Sequence, residues 1–341
     1  MYYNCDCIDG ARKYLGDNTV DLIITDPPYG IAGDQLHKHY NRNETKVLDG
    51  YIDVPHGEYP EFTREWIKEA ERVLKPGGSI YIVSGYTQLR HILNALAETG
   101  LEEVNHIIWK YNFGVNTSLK YISSHYHILY YVKPGARATF NTYAFYSDTE
   151  KNELGGSANY KDREDVWVIH REYKHGGNKN KNQLPKALLT KMILYSSNPD
   201  DLVCDFFLGS FSTAKIAVGL GRNACGFEKS RTAFDHHVSQ MASIEKSSLL
   251  DEVRIPPDNK LVNRGKRLCK AEKEIIRQKY AVLIASGLTK KNAIDELSLD
   301  VGRGYWSILK TVDGTTNKSN GAVKKRLKAN ELFRLFKENK K

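Results

Sequence analysis

Short apolar segments alternate with helical patterns along the first 230 residues, and this alternation constrains the fold more than any other feature. Four apolar segments of the first half have the length and composition of strands: 21–25, 79–85, 105–111 and 127–133. Two helical patterns, 60–74 and 87–100, lie between the first three of them and end near Gly or Pro. Strands that alternate with helices predict a parallel sheet covered by helices.

The alternation resumes after residue 183. An amphipathic helix is predicted over 184–197, with Pro185 near its start. A strand (201–207), a turn of small residues, a helix (213–221) and a second strand (224–228) follow. This order is typical of units that bind a nucleoside-containing cofactor.

Two stretches lack periodicity, and loops of this length in a compact enzyme usually have a function. The first lies between Gly30 and Tyr59 and is rich in Gly, Asn and His. The second, 134–182, alternates aromatic with polar and basic residues. Beyond Pro256-Pro257, which read as a linker, the chain becomes basic and mostly helical. We therefore predict a domain over 1–250 and an extension over 251–341.

Charge is unevenly distributed along the chain. The net charge is +9, yet residues 1–250 contain 28 Lys or Arg and 30 Asp or Glu. Residues 251–341 contain 22 and 11, so the whole basic excess lies in the last quarter. Such an asymmetry indicates a nucleic-acid contact in the extension, and the alternative is a solubilising tail.

Several classes of protein are disfavoured by composition. No apolar run has the length of a membrane span, and no apolar block follows a basic start, so we expect neither a membrane helix nor a signal peptide. Five cysteines without CxxC spacing argue against a disulfide framework and against a zinc site. A cytoplasmic protein without a metal is the expectation.

The sequence 201–230 contains candidate ligands for a nucleoside cofactor. Gly209 and Ser210 allow close approach of the backbone to a ligand. Asp205 ends the first strand, and Glu228 ends the second, where an acid can bind both ribose hydroxyls. The alternative is an ordinary strand–helix–strand unit with a structural turn.

The sequence Asp26-Pro27-Pro28-Tyr29 closes the first strand with a stiff, irregular turn. An acid beside a rigid proline carbonyl can accept two hydrogen bonds from one exocyclic amino group, while Tyr29 stacks on the ring that carries it. The lone pair of such an amino group is conjugated into the ring, and an acceptor pocket that holds both hydrogens frees it. A plain turn after a strand is the alternative.

Together these motifs resemble the amino-methylating DNA methyltransferases that use S-adenosylmethionine. The sequence 26–29 is similar to their catalytic motif, and 205–213 to their cofactor motif, D-P-F-x-G-S-G-T-T. The catalytic motif comes first, as in the β group of that family. Further similar segments lie in the same order within residues 1–245: 4–10, 73–83, 125–133 and 182–189.

The resemblance implies a Rossmann-like methyltransferase fold with a mixed, mostly parallel sheet. The 134–182 stretch then corresponds to the inserted target-recognition segment, and 251–341 is a basic helical extension. Adenine N6 of a base flipped out of duplex DNA is the implied acceptor, because Asp stands first in the catalytic motif. A cognate restriction endonuclease and a homodimer are left open as partners.

Site residues are carried over from the same resemblance. Asp26, Pro27, Pro28 and Tyr29 form the implied catalytic motif, and Tyr29, His125 and Tyr126 the base pocket, although strand packing would equally explain the last two. The residues implied to bind the cofactor are Asp6, Cys7, Asp26, Gln183, Asp205, Phe207, Gly209, Ser210 and Glu228.

Departures from the family motifs include Leu184, Phe206 and Phe211, the last at the second glycine of the cofactor motif. Three alternatives to adenine methylation stay open: N4 methylation of cytosine, nitrogen methylation of RNA or protein, and a non-catalytic DNA-binding subunit. In the extension, 286–312 could form a helix-turn-helix-like unit, with a helix from Lys290 and a second one opening at Tyr305.

Overall fold

The computed structural model describes residues 1–30, 53–112, 118–170, 183–254, 256 and 268–313. The chain divides into two compact units, Met1–Pro256 and Pro257–Lys341. None of the helices in these described ranges is long and apolar enough to cross a membrane.

In the described part of the first unit, eight strands form one sheet. The strands are β1 (Tyr2–Tyr3), β2 (Val20–Thr25), β3 (Leu74–Ser84), β4 (Glu102–Lys110), β5 (His125–Val132), β6 (Val166–Val168), β7 (Leu202–Asp205) and β8 (Asn223–Phe227). Their order across the sheet is β1-β8-β7-β2-β3-β5-β4-β6. Only β5 runs antiparallel to its neighbours, β3 and β4, and the other pairs are parallel. The predicted mixed, mostly parallel sheet is thus confirmed.

Helices flank the sheet on both faces. They are α1 (Cys7–Tyr14), α2 (Tyr59–Val73), α3 (Leu89–Ala97), α4 (Ala158–Asp162), α5 (Lys186–Ser196), α6 (Ser212–Gly219) and α7 (Arg231–Met241). The predicted amphipathic character of α5 was wrong. The helix is buried around most of its circumference rather than on one stripe. It packs between the sheet and neighbouring segments, so its surface has little need of a polar face.

Two apolar cores lie on the two faces of the sheet. Ile23 of β2 belongs to the core covered by α1, α2 and α3. Its neighbours Leu22 and Ile24 point the other way, into the core covered by α5, α6 and α7. Burial on both faces explains why 22–24 is continuously apolar instead of alternating.

The strand order creates a crevice at the carboxyl ends of β2 and β7. These two strands are parallel neighbours, with Leu22 opposite Val203 and Ile23 opposite Cys204. From β2 the chain continues towards β3 on one side, and from β7 towards β8 on the other. Ligands of open α/β sheets bind at such a switch point. Both motifs singled out in the sequence begin there.

The described part of the 134–182 stretch contains structure that the sequence did not predict. Helix α4 spans five residues, and β6 adds three residues in parallel to β4, with Trp109 opposite Trp167. Elements this short carry too few residues for a period to be recognised.

The second unit contains α8 (Lys270–Ala285), α9 (Lys290–Asp300) and α10 (Tyr305–Val312). Its apolar core is made by one residue from α8, two from α9 and one from α10: Ile276, Ile294, Leu297 and Ile308. The helices α9 and α10 begin at the residues predicted from the sequence. Thr289 caps α9 by accepting a hydrogen bond from the backbone of Asn292.

Candidate active site

The Asp26–Tyr29 turn leaves the carboxyl end of β2 directly. Asp26 follows the last strand residue, Thr25, and Pro27 is buried. The Tyr29 hydroxyl donates a hydrogen bond to Asp26 Oδ2 at 3.0 Å. The turn therefore holds an acid and an aromatic ring side by side at the crevice.

Asp205 joins this turn to the second motif. Its Oδ1 accepts hydrogen bonds from Thr25 Oγ1 and from the Phe207 amide, both at 3.0 Å. Asp205 is only 5% exposed. Burial raises its pKa to about 7, although hydrogen bonds from Thr213, Phe207 and Thr25 act in the opposite direction. The buried carboxyl group of Asp205 thus links the end of β2 to the start of the loop that follows β7.

Glu228 fixes the other side of that loop. Its Oε2 accepts a hydrogen bond from the Gly209 amide at 2.8 Å, and its Oε1 accepts one from the Ser230 amide at 2.7 Å. Burial raises the pKa of this carboxyl. Since each carboxylate oxygen has room for two donors, Glu228 can still accept hydroxyl groups of a ligand.

Phe211 stands where the family motif has glycine, and its backbone keeps the conformation that glycine favours. Its φ and ψ are 61° and 25°, in the left-handed region. The ring is fully buried and packs edge-on against Tyr2 at 5.3 Å and Phe234 at 5.9 Å. Aromatic packing thus stabilises a left-handed backbone conformation that costs a non-glycine residue about 1–2 kcal/mol.

Phe206 and Phe207 support the same loop from the core side. Phe206 is 1% exposed and lies 6.1 Å from Trp66 between ring centroids. Phe207 packs edge-on against Trp66, with ring centroids 5.4 Å apart. It also contacts Phe62, with ring centroids 5.9 Å apart. The contacts of Phe207 among the described residues are those of a packing side chain, the role left open beside cofactor binding.

Asp6 and Cys7 begin α1 near the end of β1. Asp6 Oδ1 caps the helix by accepting a hydrogen bond from the Ile8 amide at 3.0 Å, and its Oδ2 accepts one from Lys229 Nζ at 3.2 Å. Cys7 is 4% exposed and belongs to the core, and burial raises the pKa of its thiol. A contact between Cys7 and a cofactor would therefore come from its backbone.

Tyr126 and His125, the other predicted base-pocket residues, lie at the start of β5. Tyr126 packs on Trp109, with ring centroids 5.6 Å apart. It also lies beside Gly85, just past β3, where an added Cβ would be 3.5 Å from Tyr126 Cε1. His125 is exposed and, as the neighbouring residue of β5, points to the opposite face. A base pocket on one face would thus contact only one of the two.

Ser210 is half-buried and Gln183 is exposed. The Ser210 hydroxyl lies 2.7 Å from that of Ser212, and Lys215 Nζ donates to the Ser210 carbonyl at 3.1 Å. Gln183 is exposed, two residues before Pro185, which caps α5.

Sequence reasoning missed several neighbours of the turn. Thr25 was treated as the last residue of a strand, and Gly30, Asp53 and Gln88 were not singled out at all. A glycine directly after a stiff motif was the one available signal for Gly30. Asp53 and Gln88 lie 23 and 58 residues further along the chain, so only the fold brings them together.

The comparisons with known proteins agree with this architecture. The family model of the DNA methylases, N6_N4_Mtase, matches residues 20–239. This match covers more than half of the chain, from β2 to α7, and includes both motifs. The chain therefore belongs to the N6/N4 DNA methylase family.

Two curated relatives are type II methyltransferases by name. The type II methyltransferase M.HpaI of Haemophilus parainfluenzae is 33% identical over 228 residues, covering 64% of this chain and 67% of that protein. The type II methyltransferase M.BamHI of Bacillus amyloliquefaciens is 32% identical over 241 residues, covering 66% and 53%. The chain thus spans about half the length of M.BamHI.

A solved structure supports the fold alone. TTHA0409 of Thermus thermophilus has a TM-score of 0.50 and 18% identity, covering 71% of this chain and 94% of that one. The chain shares with it the Rossmann-like arrangement of helices around a mostly parallel sheet.

Proposed function

We propose that this DNA methylase transfers a methyl group from S-adenosylmethionine to adenine N6 in a specific sequence of duplex DNA. One observation supports it above the rest: Thr25 joins the Asp26–Tyr29 turn to Asp205 at the crevice, with a 3.0 Å hydrogen bond. The acceptor turn and the proposed cofactor loop therefore share one edge of the sheet.

The side chains at this edge suit S-adenosylmethionine. Three acids lie at the ends of neighbouring elements: Asp6 after β1, Asp205 at the end of β7 and Glu228 after β8. The ligand has an ammonium group, a positively charged sulfur and a ribose diol, all of which carboxylates favour. Among the residues that the structure describes, a Cβ on Gly209 would meet only the Phe207 carbonyl, 3.9 Å away, so this part of the loop surface leaves space for a ligand.

Within this assignment, Asp26, Pro27 and Tyr29 act on the target base. S-adenosylmethionine supplies an electrophilic methyl group on a positively charged sulfur. Asp26 and the Pro27 carbonyl accept hydrogen bonds from the target amino group, which frees the nitrogen lone pair to form the new N–C bond as the C–S bond breaks. Tyr29 stacks on the base, and Asp26 is placed to accept the proton that the nitrogen then loses.

Adenine is proposed over cytosine because an acid stands at the head of the motif, as in the adenine-specific branch that the sequence resembles. The family match spans both N6 and N4 methylases, so N4-methylcytosine is the second candidate. The names of the two relatives point to modification within a restriction system, and a cognate endonuclease stays a prediction.

Incubation with labelled S-adenosylmethionine tests the substrate class. Duplex DNA, RNA and protein fractions are collected separately, and label is expected in DNA alone. Nucleoside digestion and mass spectrometry of that DNA should then yield N6-methyladenine. N4-methylcytosine as the sole product would make cytosine the acceptor, and label only in RNA or protein would refute the DNA assignment.

A further inference from the structure

The residue that follows the motif, Gly30, is bonded through both of its backbone groups. Its amide donates to Asp53 Oδ1 at 2.8 Å, and its carbonyl accepts a hydrogen bond from Gln88 Nε2 at 2.9 Å. Its φ is +57°, in the left-handed region. The chain therefore leaves Tyr29 along one defined path.

The space around Gly30 is closed as well. A Cβ at this position would lie 2.5 Å from Tyr59 Cδ2 and 2.7 Å from Gln88 Nε2. Tyr59 and Gln88 are 1% and 3% exposed. Because both neighbours are packed, neither can move aside cheaply, and Gly30 is held sterically as well as by hydrogen bonds.

The groups that hold Gly30 are themselves anchored. Asp53 Oδ1 also accepts a hydrogen bond from the Val54 amide at 3.0 Å. Gln88 is the N-terminal cap residue of α3, and Tyr59 is the first residue of α2. Two helices packed on the sheet thus fix the end of the turn.

We propose that Asp53 and Gln88 are positioning residues for methyl transfer, which act through Gly30 on Asp26 and Tyr29. This inference rests on the function proposed above. Asp26 accepts a hydrogen bond from the Tyr29 hydroxyl, and Tyr29 precedes Gly30 in the chain. A shift of Gly30 therefore moves the acceptor carboxylate and the stacking ring together. A misplacement of about 1 Å at a reacting group can cost roughly 100-fold in rate.

Three variants of the full-length chain separate this role from a merely structural one. Asp53→Ala removes the acceptor, whereas Asp53→Asn keeps an oxygen at the same place. Gln88→Glu replaces the donating amide with a carboxyl group of the same size, which in its ionised form offers the Gly30 carbonyl no hydrogen bond. Single-turnover rates, the dissociation constant of S-adenosylmethionine and hydrogen exchange over residues 26–30 are measured for each. Two of these five residues are prolines, so exchange there reports Asp26, Tyr29 and Gly30.

We expect Asp53→Ala and Gln88→Glu to lower the single-turnover rate by about 30- to 100-fold. Their affinity for S-adenosylmethionine should stay within threefold of wild type, exchange at Gly30 should be faster, and Asp53→Asn should retain most of the turnover. If Asp53→Ala fails to bind the cofactor, the single-turnover rate of Gln88→Glu decides whether the inference holds.

A single-turnover rate within threefold of wild type in Asp53→Ala or Gln88→Glu would overturn the inference, as would equal losses in Asp53→Ala and Asp53→Asn. Failure of the proposed function gives a different result. In that case the wild-type chain transfers no methyl group to DNA, although exchange at Gly30 still responds to the substitutions.

Discussion

At the scale of single residues, the two acids beside the proposed cofactor loop differ in how they are held. Glu228 is fixed by two backbone amides, so its orientation is set before a ligand arrives. Asp205 is buried and has a raised pKa, so its charge is disfavoured in the ligand-free protein. These contrasts lead to separate predictions.

Glu228→Ala should weaken binding of S-adenosylmethionine about 10- to 100-fold, because a charged hydrogen-bond acceptor contributes roughly 1.5–3 kcal/mol. Loss of the hydrogen bond to Gly209 should add to the effect by loosening the loop. Calorimetry measures the dissociation constant, and Asn223→Ala, at the opposite end of β8, serves as the control. An unchanged affinity in Glu228→Ala would place the ribose elsewhere.

Asp205 should make the ligand-free protein less stable as pH rises. Its pKa is about 7 when folded and 3.8 when exposed, so between these values the unfolded chain loses a proton that the folded chain keeps. The stability contribution is fully present below about pH 4 and declines until about pH 7, by up to roughly 4 kcal/mol.

Denaturant unfolding of wild type and Asp205→Asn at pH 5 and pH 8 measures this contribution. The substitution should flatten the decline between the two values, because asparagine does not titrate. An identical decline in both proteins would show that Asp205 is ionised in the folded state.

How far these residues could be predicted depends on where their partners lie. The turn at 26–29 was visible because its prolines act locally, and Asp205 and Glu228 were visible because they end strands. The left-handed backbone of Phe211 was not visible, because packing from Tyr2 and Phe234 imposes it.

At the scale of elements, long periodic segments were predicted well and short ones were not. The strands β2, β4 and β5 lie within three residues of the predicted positions, because each carries a continuous apolar run, whereas β3 begins five residues before its predicted start. The strand β6 was missed, since Val166 and Val168 are exposed and only Trp167 packs inward. Its place beside β4 comes from the fold.

The helical extension carries its charge unevenly, which sharpens the expectation of a phosphate-binding tail. Residues 268–313 contain eight Lys or Arg and six Asp or Glu, whereas 314–341 contain nine and two. Within 268–313, Lys279, Lys290 and Arg303 already form ion pairs with Asp300, Asp313 and Glu272. We therefore expect the last segment to bind more phosphates than the helices do.

Two truncations, ending at residues 256 and 313, test this expectation in a salt titration of DNA affinity. The slope of log affinity against log salt should become shallower by roughly 0.9 for each phosphate that the shortened protein no longer neutralises. Most of the change should already occur when 314–341 is removed. Equal slopes in all three proteins would refute the phosphate role, and an altered methylation site would show that the extension reads bases.

At the scale of the whole molecule, the fold brings together motifs that lie far apart in the sequence. The Asp26–Tyr29 turn and the 205–211 loop are separated by about 180 residues, yet Thr25 bonds directly to Asp205. The adjacency of β2 and β7 produces this meeting. Membership of the N6/N4 DNA methylase family and the position of the turn together support methyl transfer to an amino group.

The most direct test of that claim compares wild type with Asp26→Ala on duplex DNA, with the exposed-acid variant Asp251→Ala as the control. We predict that Asp26→Ala reduces methyl transfer at least roughly 100-fold, because the carboxylate acts on the nucleophile chiefly in the transition state. Binding of S-adenosylmethionine should stay within a few-fold of wild type, and Asp251→Ala should retain full activity. Methylation by Asp26→Ala at a rate close to wild type would contradict the assignment of the turn as the catalytic site.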